Sequence, residues 1–205
     1  MKLLGRITSV NVRKVAWTAD LLGIAYERED WGLPLRDPRE AAFLALNPNA
    51  QVPVIIDDGF VLWESNAIMR YLAETRGSAL WPKEPKSRAL VDQWLSWQVS
   101  ELNPAWSYAV QALLRRTPGY DREELVADSI RRWSAKMAIV EGQLQGGSGY
   151  LVNGALSLAD IALALATHRW VSTPFDHPVL PAVEAHYHNM RETAAGRRYL
   201  GSDTP

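Results

Sequence analysis

Apolar positions in the first part of the chain follow two periods, which together predict a mixed α/β unit. Short apolar or alternating runs predict strands at 2–6, 24–28, 54–56 and 60–63. Helical spacing of apolar residues predicts helices at 12–22, 40–46 and 64–76. The resulting order is strand, helix, strand, helix, strand, strand, helix, and by default its first three elements form a right-handed parallel unit.

The pattern changes after Gly77. Residues 78–86 contain a serine and two prolines, which is typical of a linker between an expected domain 1–77 and an expected domain 87–205. Beyond the linker, apolar residues follow helical spacing only, so an all-helical second domain is predicted. The elements expected there are a long helix with a kink or break at Pro104, a helix over 121–145, a buried helix opening at 156–161, a last helix from His177-Pro178 and a polar tail from Gly196.

The stretch from Asn47 to Gly77 carries the clearest sign of a ligand site. A proline follows Val52 at the start of a strand, and a cis bond there would turn the Val52 backbone toward an extended, peptide-like ligand. Glu64-Ser65 stand where a strand meets a helix, whose N-terminus suits a carboxylate, while Glu64 suits an ammonium. The same residues are also explained without a ligand, with Ser65 as a plain N-cap and Pro53 as an edge-strand proline.

Composition limits the chemistry that the chain itself supplies. The net charge of −1 gives no reason to expect nucleic acid or an anionic membrane as a partner. No run approaches the ~20 apolar residues of a membrane span, and the N-terminus lacks a signal-peptide core, so a cytoplasmic location is expected. The absence of cysteine excludes disulfides, thiolate metal sites and a cysteine nucleophile. Thiol chemistry would therefore need a thiol carried by a ligand.

Two histidines near the C-terminus have the spacing of a weak metal motif. His186 and His188 form an H-x-H pair without a third ligand nearby in the sequence. We therefore expect an exposed helix face rather than a metal site, and no metal cofactor.

The segment 51–74, QVPVIIDDGFVLWESNAIMRYLAE, closely resembles the glutathione-site core of cytosolic glutathione S-transferases. Residues 9–15 are similar to the motif of the serine-type, theta- or nu-like bacterial members, and Ser157 and Asp160 resemble the capping box of the sixth helix of the family. The resemblance implies a thioredoxin-like N-terminal domain, an all-helical C-terminal domain and a homodimer.

The resemblance also implies a role for Ser9, which would hold the glutathione sulfur. A hydroxyl donated to a thiolate favours the charged form and lowers the pKa of the thiol. Thr8 and Asn11 remain rivals for this contact, because either can donate a hydrogen bond, and Asn11 also fits the N-cap of the first helix.

The remaining glutathione contacts implied by the resemblance are distributed along the central stretch. Val52, before a cis Pro53, would bind the cysteinyl backbone, and Glu64 and Ser65 would bind the γ-glutamyl end. Gln51 would reach the glycyl carboxylate, with Arg39 as an additional partner from the preceding loop. Asn66 would cap the helix or touch the γ-glutamyl carboxylate.

The implied reaction is attack by the glutathione thiolate on a small, apolar electrophile, as in detoxification. The resemblance leaves the electrophile open, and with it transferase, isomerase, dehalogenase or peroxidase use. Four side chains would form an apolar wall for the electrophile between the two domains, although each is also explained as a core residue: Trp106, Tyr108, Leu113 and Trp170. The alternative function is a non-catalytic binding or assembly module with the same fold.

Overall fold

The computed structural model describes residues 1–201, which form two compact units. The first unit runs from Met1 to Pro82 and contains the whole sheet; the second begins at Lys83 and is helical. No helix among residues 1–201 is both long and apolar enough to cross a membrane.

A four-stranded mixed sheet organises the first unit. Its elements are β1 (Lys2–Leu4), α1 (Val10–Leu21), β2 (Glu27–Glu29), α2 (Ala41–Leu44), β3 (Val54–Asp57), β4 (Phe60–Trp63) and α3 (Ser65–Thr75). The strand order is β2-β1-β3-β4, with β1 parallel to β2 and the other two pairs antiparallel. The predicted order of elements and the thioredoxin-like arrangement are confirmed.

The second strand starts later than its apolar residues suggest. Residues 24–26 were expected in it, but the N–H of Ile24 donates to the Ala19 carbonyl at 2.9 Å and so belongs to the end of α1. Pairing begins only at Glu27, opposite Lys2.

Local signals place the hairpin that precedes α3. Asp58 and Gly59 join β3 to β4 with φ angles of 48° and 87°, the left-handed pair that a two-residue turn requires. The register pairs Val54 with Trp63 and Asp57 with Phe60, as the Asp-Gly signal predicts. Val54 also packs into a cluster on one side of the sheet with Leu4, Trp31 and Phe43.

The helical unit begins with a long, nearly continuous helix. It consists of α4 (Pro85–Trp97), a π-helical turn (Gln98–Leu102), α5 (Asn103–Ala109) and a second π-helical turn (Val110–Leu114). Pro104 does not break it, because the residue lies at the start of α5, next to the π-helical turn, where its missing N–H is tolerated. The other helices are α6 (Glu123–Leu144), α7 (Leu158–Ser172), α8 (Pro181–Glu192) and α9 (Ala194–Leu200).

The C-terminal part departs from expectation at two points. The helix expected from His177 begins at Pro181, where the Glu141 carboxylate of α6 accepts from the N–H groups of Ala182 at 3.1 Å and Val183 at 3.0 Å. The tail expected from Gly196 is helical as far as Leu200, which is buried. Residues 202–205 of that tail lie outside the described residues.

A buried carboxylate anchors α7. Asp160 accepts from the Ser157 N–H at 2.9 Å and the Ser157 hydroxyl at 2.7 Å, which confirms the predicted capping box. It also accepts from the Leu151 N–H at 2.9 Å and lies 3.2 Å from Nε2 of His186. The expectation that His186 lies on an exposed helix face is therefore wrong: its side chain is fully buried against Asp160.

Candidate functional site

The first helix of the sheet unit starts beside Ser9. α1 begins at Val10, and Ser9 itself is extended, with φ −80° and ψ 125°. Its N–H donates to the Arg6 carbonyl at 3.0 Å, and its carbonyl accepts from the Arg13 N–H at 2.9 Å. The half-buried Ser9 hydroxyl makes no hydrogen bond within residues 1–201. It is therefore free to bond a ligand beside the partial positive charge of the helix N-terminus.

Asn11 connects the start of α1 to the start of α3. It lies inside α1, so the expectation that it caps this helix is wrong. Its Oδ1 accepts from the Ser65 hydroxyl at 3.3 Å. Ser65 is the first residue of α3 and Glu64 holds the N-cap position, so Ser65 is not a plain N-cap either. The two helix N-termini therefore meet through Asn11 and Ser65.

Glu64 has an unusual backbone for its residue type. Its φ of 72° and ψ of 108° lie in a region that side-chain-bearing residues rarely adopt. The side chain is exposed and forms no ion pair or hydrogen bond with any residue of the described chain. A carboxylate without a partner thus stands directly at the N-terminus of α3.

A second contact ties the same two helices together beneath this point. Nζ of Lys14, on α1, donates to Oδ1 of Asn66, on α3, at 3.3 Å, and Lys14 has no exposed surface. The Asn66 side chain is 8% exposed, so its carbonyl oxygen is turned to the buried ammonium. The contact holds the first turn of α3 in a fixed position against α1.

A cavity of about 290 Å³ in the same unit is lined by residues 6, 32–33, 37–39 and 49–52. Gln51 and Val52 line it, and the Val52-Pro53 bond is cis. Arg6 and Arg39 also line it, and the Arg39 guanidinium has no ion pair or hydrogen bond within residues 1–201. The cavity is therefore lined by two cations, Arg6 and Arg39, and one acidic residue, Asp37, and the excess of positive charge suits an anionic end of an extended ligand.

The sequence predicts Arg6 at the end of the first strand and gives it no role in the site. The strand stops at Leu4, and the Arg6 side chain turns back to donate from Nη1 to the Thr8 hydroxyl. The one available signal was an arginine two residues before Thr8. In this contact the Thr8 oxygen only accepts, so Thr8 keeps a proton to donate, whereas the Ser9 hydroxyl forms no hydrogen bond in the described chain.

Gly5 allows the two halves of the site to lie close together. Its φ is 153°, and an added Cβ would lie 2.4 Å from Cγ2 of Val12 and 3.2 Å from Cβ of Val52. Only glycine fits between these side chains. The end of β1 thereby packs against both α1 and the segment that carries Val52.

The four residues expected to form the apolar wall have different environments within the helical unit. Trp106 and Trp170 are 6% and 3% exposed and pack edge-on against Trp133. The Tyr108 hydroxyl accepts from the Arg122 N–H at 3.3 Å. Leu113 lines an apolar cavity of about 590 Å³ between the end of the long helix and the start of α6.

The comparisons with known proteins identify the family of the chain. The family model described as "Glutathione S-transferase, N-terminal domain" matches residues 8–75. The chain is 32% identical to glutathione S-transferase GstB of Escherichia coli K12. The alignment spans 202 residues and covers 97% of this chain and 96% of that protein. It is 27% identical to glutathione S-transferase D6 of Drosophila melanogaster, over 96% and 89% of the two chains.

A solved structure shows the same likeness in three dimensions. It is the theta class glutathione S-transferase from Xanthomonas axonopodis pv. citri with glutathione bound, with a TM-score of 0.91, 34% identity, and coverage of 98% of this chain and 97% of that one. The resemblance found in residues 51–74 is confirmed by this agreement in sequence and fold. The chain belongs to the glutathione S-transferase family.

Proposed function

We propose that this protein is an active glutathione transferase of the serine type, which uses a bound glutathione thiolate to attack a small apolar electrophile. The observation that carries the proposal is the meeting of the α1 and α3 N-termini through Asn11 and Ser65, beside a Ser9 hydroxyl without a partner in the described residues. Family membership supplies the ligand, and the chain's lack of cysteine requires that the reacting thiol come from it.

The γ-glutamyl end of glutathione would bind at the start of α3. Its carboxylate suits the free N–H groups and partial positive charge of this helix N-terminus, and the Ser65 hydroxyl would add a donor by turning its proton from Asn11 to the ligand. Its ammonium suits the Glu64 carboxylate, which is exposed and without a partner in the described chain. The two charges of one amino-acid head thus find complementary groups on adjacent residues.

The rest of the tripeptide would extend into the 290 Å³ cavity. The Val52 backbone beside Pro53 offers polar groups to the cysteinyl peptide units. Gln51 and Arg39 would hold the glycyl carboxylate, and Arg6 adds a second cation in the same wall.

Ser9 would act on the sulfur. A hydroxyl that donates to the thiolate, together with the nearby α1 N-terminus, favours the charged form and lowers the thiol pKa from about 8.5 toward neutrality. The thiol proton leaves to solvent, and the sulfur lone pair forms a bond to the electrophilic carbon. The leaving group departs with the electrons of the bond it breaks. Holding both reactants close supplies the remaining rate enhancement.

The electrophile would rest on apolar surface of the helical unit. The 590 Å³ cavity lined by Leu113 lies within the size range of small-molecule sites and is largely apolar. Replacing Leu113 with Asn should raise the KM for the electrophile and leave that for glutathione unchanged; equal changes in both would contradict this assignment.

We further propose a cytoplasmic homodimer, in line with the family. Phe60 and Trp63 on the edge strand β4 are 50% and 36% exposed, and large apolar side chains on a sheet edge are commonly covered by a partner. Sedimentation of the full chain at micromolar concentration would test this: a monomer would contradict the proposal.

The central experiment separates binding from chemistry. Retention on immobilised glutathione is measured first, and turnover with a chlorodinitrobenzene is then followed against pH. Ser9→Ala should keep retention, raise the apparent pKa of the bound thiol and lower turnover near pH 6.5 by about 10²-fold, the usual effect of losing one donor to a developing anion. Thr8→Ala is the matched control, and Asn11→Ala tests the rival donor.

Three outcomes would overturn parts of the proposal. An unchanged thiol pKa in Ser9→Ala would remove Ser9 from the sulfur contact, and the same loss in Asn11→Ala instead would assign the donor to Asn11. Retention on glutathione without turnover of any electrophile would favour the non-catalytic binding module.

A further inference from the structure

A tight turn in the helical unit, shortly before α7, carries an asparagine directly followed by a glycine. The φ angles of Asn153 and Gly154 are 50° and 69°. The Ala155 N–H closes the turn by donating to the Val152 carbonyl at 3.2 Å. Two positive φ angles in succession are the backbone that favours an Asn-Gly pair. Asn153 and Gly154 are both exposed, so solvent reaches the amide and the backbone that follows it.

An asparagine before a glycine is open to attack by its own backbone. The nitrogen of the following residue can bond to Cγ of the asparagine and close a cyclic imide. Glycine opposes this reaction least, because it has no Cβ beside the attacking nitrogen. Here the Gly154 N–H forms no hydrogen bond within residues 1–201, so no other group holds this nitrogen. The attacking nitrogen and the amide are therefore adjacent and exposed.

The other asparagines lack this combination of features. Each is followed by a proline or by a residue with a side chain. Asn49 is the best match, because it is exposed as well, but the Ala50 N–H that follows it donates to the Asn47 carbonyl at 3.1 Å. Its own amide donates to Oδ1 of Asn47 at 3.0 Å. Asn153 is thus the asparagine most open to attack in the part of the chain that the structure describes.

The Asn153 amide has a structural role that such a reaction would end. Its Nδ2 donates to the Ser87 hydroxyl at 2.6 Å, which links this turn to the first turn of α4. The Ser87 hydroxyl donates in turn to Oε2 of Glu84 at 2.7 Å. Glu84 is the N-cap of α4 and accepts from the N–H groups of Lys86 and Ser87. The amide therefore begins a chain of donors that leads to the cap of α4.

We propose that Asn153 is a site of spontaneous deamidation, which places a carboxylate against the N-cap of α4. The Gly154 nitrogen loses its proton to solvent and bonds to Cγ of Asn153. The bond from Cγ to Nδ2 breaks, and Nδ2 takes a proton from solvent and leaves as ammonia. Water then opens the imide at one of its carbonyl groups and gives aspartate or isoaspartate. The reaction needs no enzyme, oxidant or reductant.

The product reverses the character of the contact with Ser87. The Asn153 amide donates to the Ser87 oxygen, whereas a carboxylate has no proton to donate at neutral pH. The single proton of the Ser87 hydroxyl already bonds to Glu84. The new carboxylate and Glu84 therefore face each other across one donor, where like charges repel. Deamidation breaks the link between the turn and α4 and weakens the cap.

The first experiment follows the stored full chain at mildly alkaline pH and body temperature by tryptic digestion and mass spectrometry. Peptide 137–169, which contains Asn153, should gain the mass of deamidation progressively, and fragmentation should place the gain on Asn153 rather than on Gln145. Asn49, in peptide 40–70, is the internal control and should stay unmodified over the same period. No gain at Asn153, or an equal gain at Asn49, would overturn the assignment.

A second experiment measures the consequence for the fold. The Tm of the stored wild type should fall in step with the mass gain, by about 2–4 °C, which corresponds to the loss of about one hydrogen bond in a chain of this size. Asn153→Gly suits the left-handed backbone and cannot deamidate, so its Tm should not change during storage. Wild type that deamidates at constant Tm would overturn the proposed effect on the cap.

A double-mutant cycle tests the contact between the two carboxylates. Asn153→Asp carries the charge of the product from the start and should lower the Tm of fresh protein. The same substitution should lower it less in Glu84→Gln, and added salt should lessen the loss in the wild-type background. An equal loss of Tm in both backgrounds, unaffected by salt, would show that the new carboxylate does not face Glu84 and would overturn that part of the proposal.

Discussion

The backbone of Glu64 offers a test in which stability and ligand binding should change in opposite directions. A side-chain-bearing residue at φ 72° and ψ 108° stores about 1–3 kcal/mol of strain. Glycine relieves that strain but loses about 0.5–1 kcal/mol through the greater freedom of the unfolded chain. The exposed Glu64 side chain forms no hydrogen bond or ion pair within the described residues that its removal would break. Glu64→Gly should therefore stabilise the free protein by about 1 kcal/mol.

The same substitution removes the proposed partner of the γ-glutamyl ammonium. A hydrogen bond to a charged group contributes about 1.5–3 kcal/mol, so the Kd for glutathione should rise at least about tenfold. Thermal unfolding without ligand should show a Tm higher by about 2–4 °C for a chain of this size, and calorimetry should show the weaker binding.

Glu64→Gln is the matched control, because it keeps a side chain on the strained backbone and removes only the charge. It should match the wild type in Tm and still lose affinity for glutathione. If Glu64→Gly and Glu64→Gln have the same Tm, or if the glycine variant is less stable than wild type, the strain argument fails. If both bind glutathione as wild type does, Glu64 does not hold the ammonium.

Three further predictions concern other parts of the molecule. Arg39→Gln should raise the KM for glutathione about threefold to tenfold in steady-state assays, whereas Arg76→Gln, an exposed arginine of the same unit, should not. Asp160→Ala leaves buried donors without an acceptor and should lower the free energy of unfolding in urea by about 4 kcal/mol; a loss below 1 kcal/mol would contradict the role of the capping box. Backbone N–H groups at the start of α4 hold the pKa of Glu84 below its usual value. This carboxylate therefore stabilises the fold above about pH 4.3 and loses that effect as the pH falls through its lowered pKa, so Glu84→Gln should be less stable than wild type at pH 7, and the difference should shrink as the pH is lowered below 4.3.

The glutathione-site core was readable in sequence because its signals are local. A Val-Pro pair, an Asp-Gly turn and a Glu-Ser helix start each depend on neighbouring residues, and the structure contains the cis bond and the left-handed turn. The contacts between distant segments of this core could not be predicted from the sequence. The contact between Asn11 and Ser65 spans 54 residues, and it turned two expected helix caps into a link between helices.

The position of Arg6 shows which part of the site a single sequence could not predict. Its place in the cavity depends on where β1 stops, and β1 stops where its pairing with β2 and β3 ends. Strand length is set by the partners available across the sheet, which a single sequence does not display.

Periodicity, turn residues and the capping box determined the order of elements, the hairpin and the start of α7, because each is a preference of a few adjacent residues. Tertiary contacts decided the rest. The Glu141 carboxylate of α6 fixes where α8 begins, and Asp160 draws His186 into the interior. Buried donors and charges take whichever partner the fold brings near them, since leaving them unpaired is costly, and that partner is distant in the sequence.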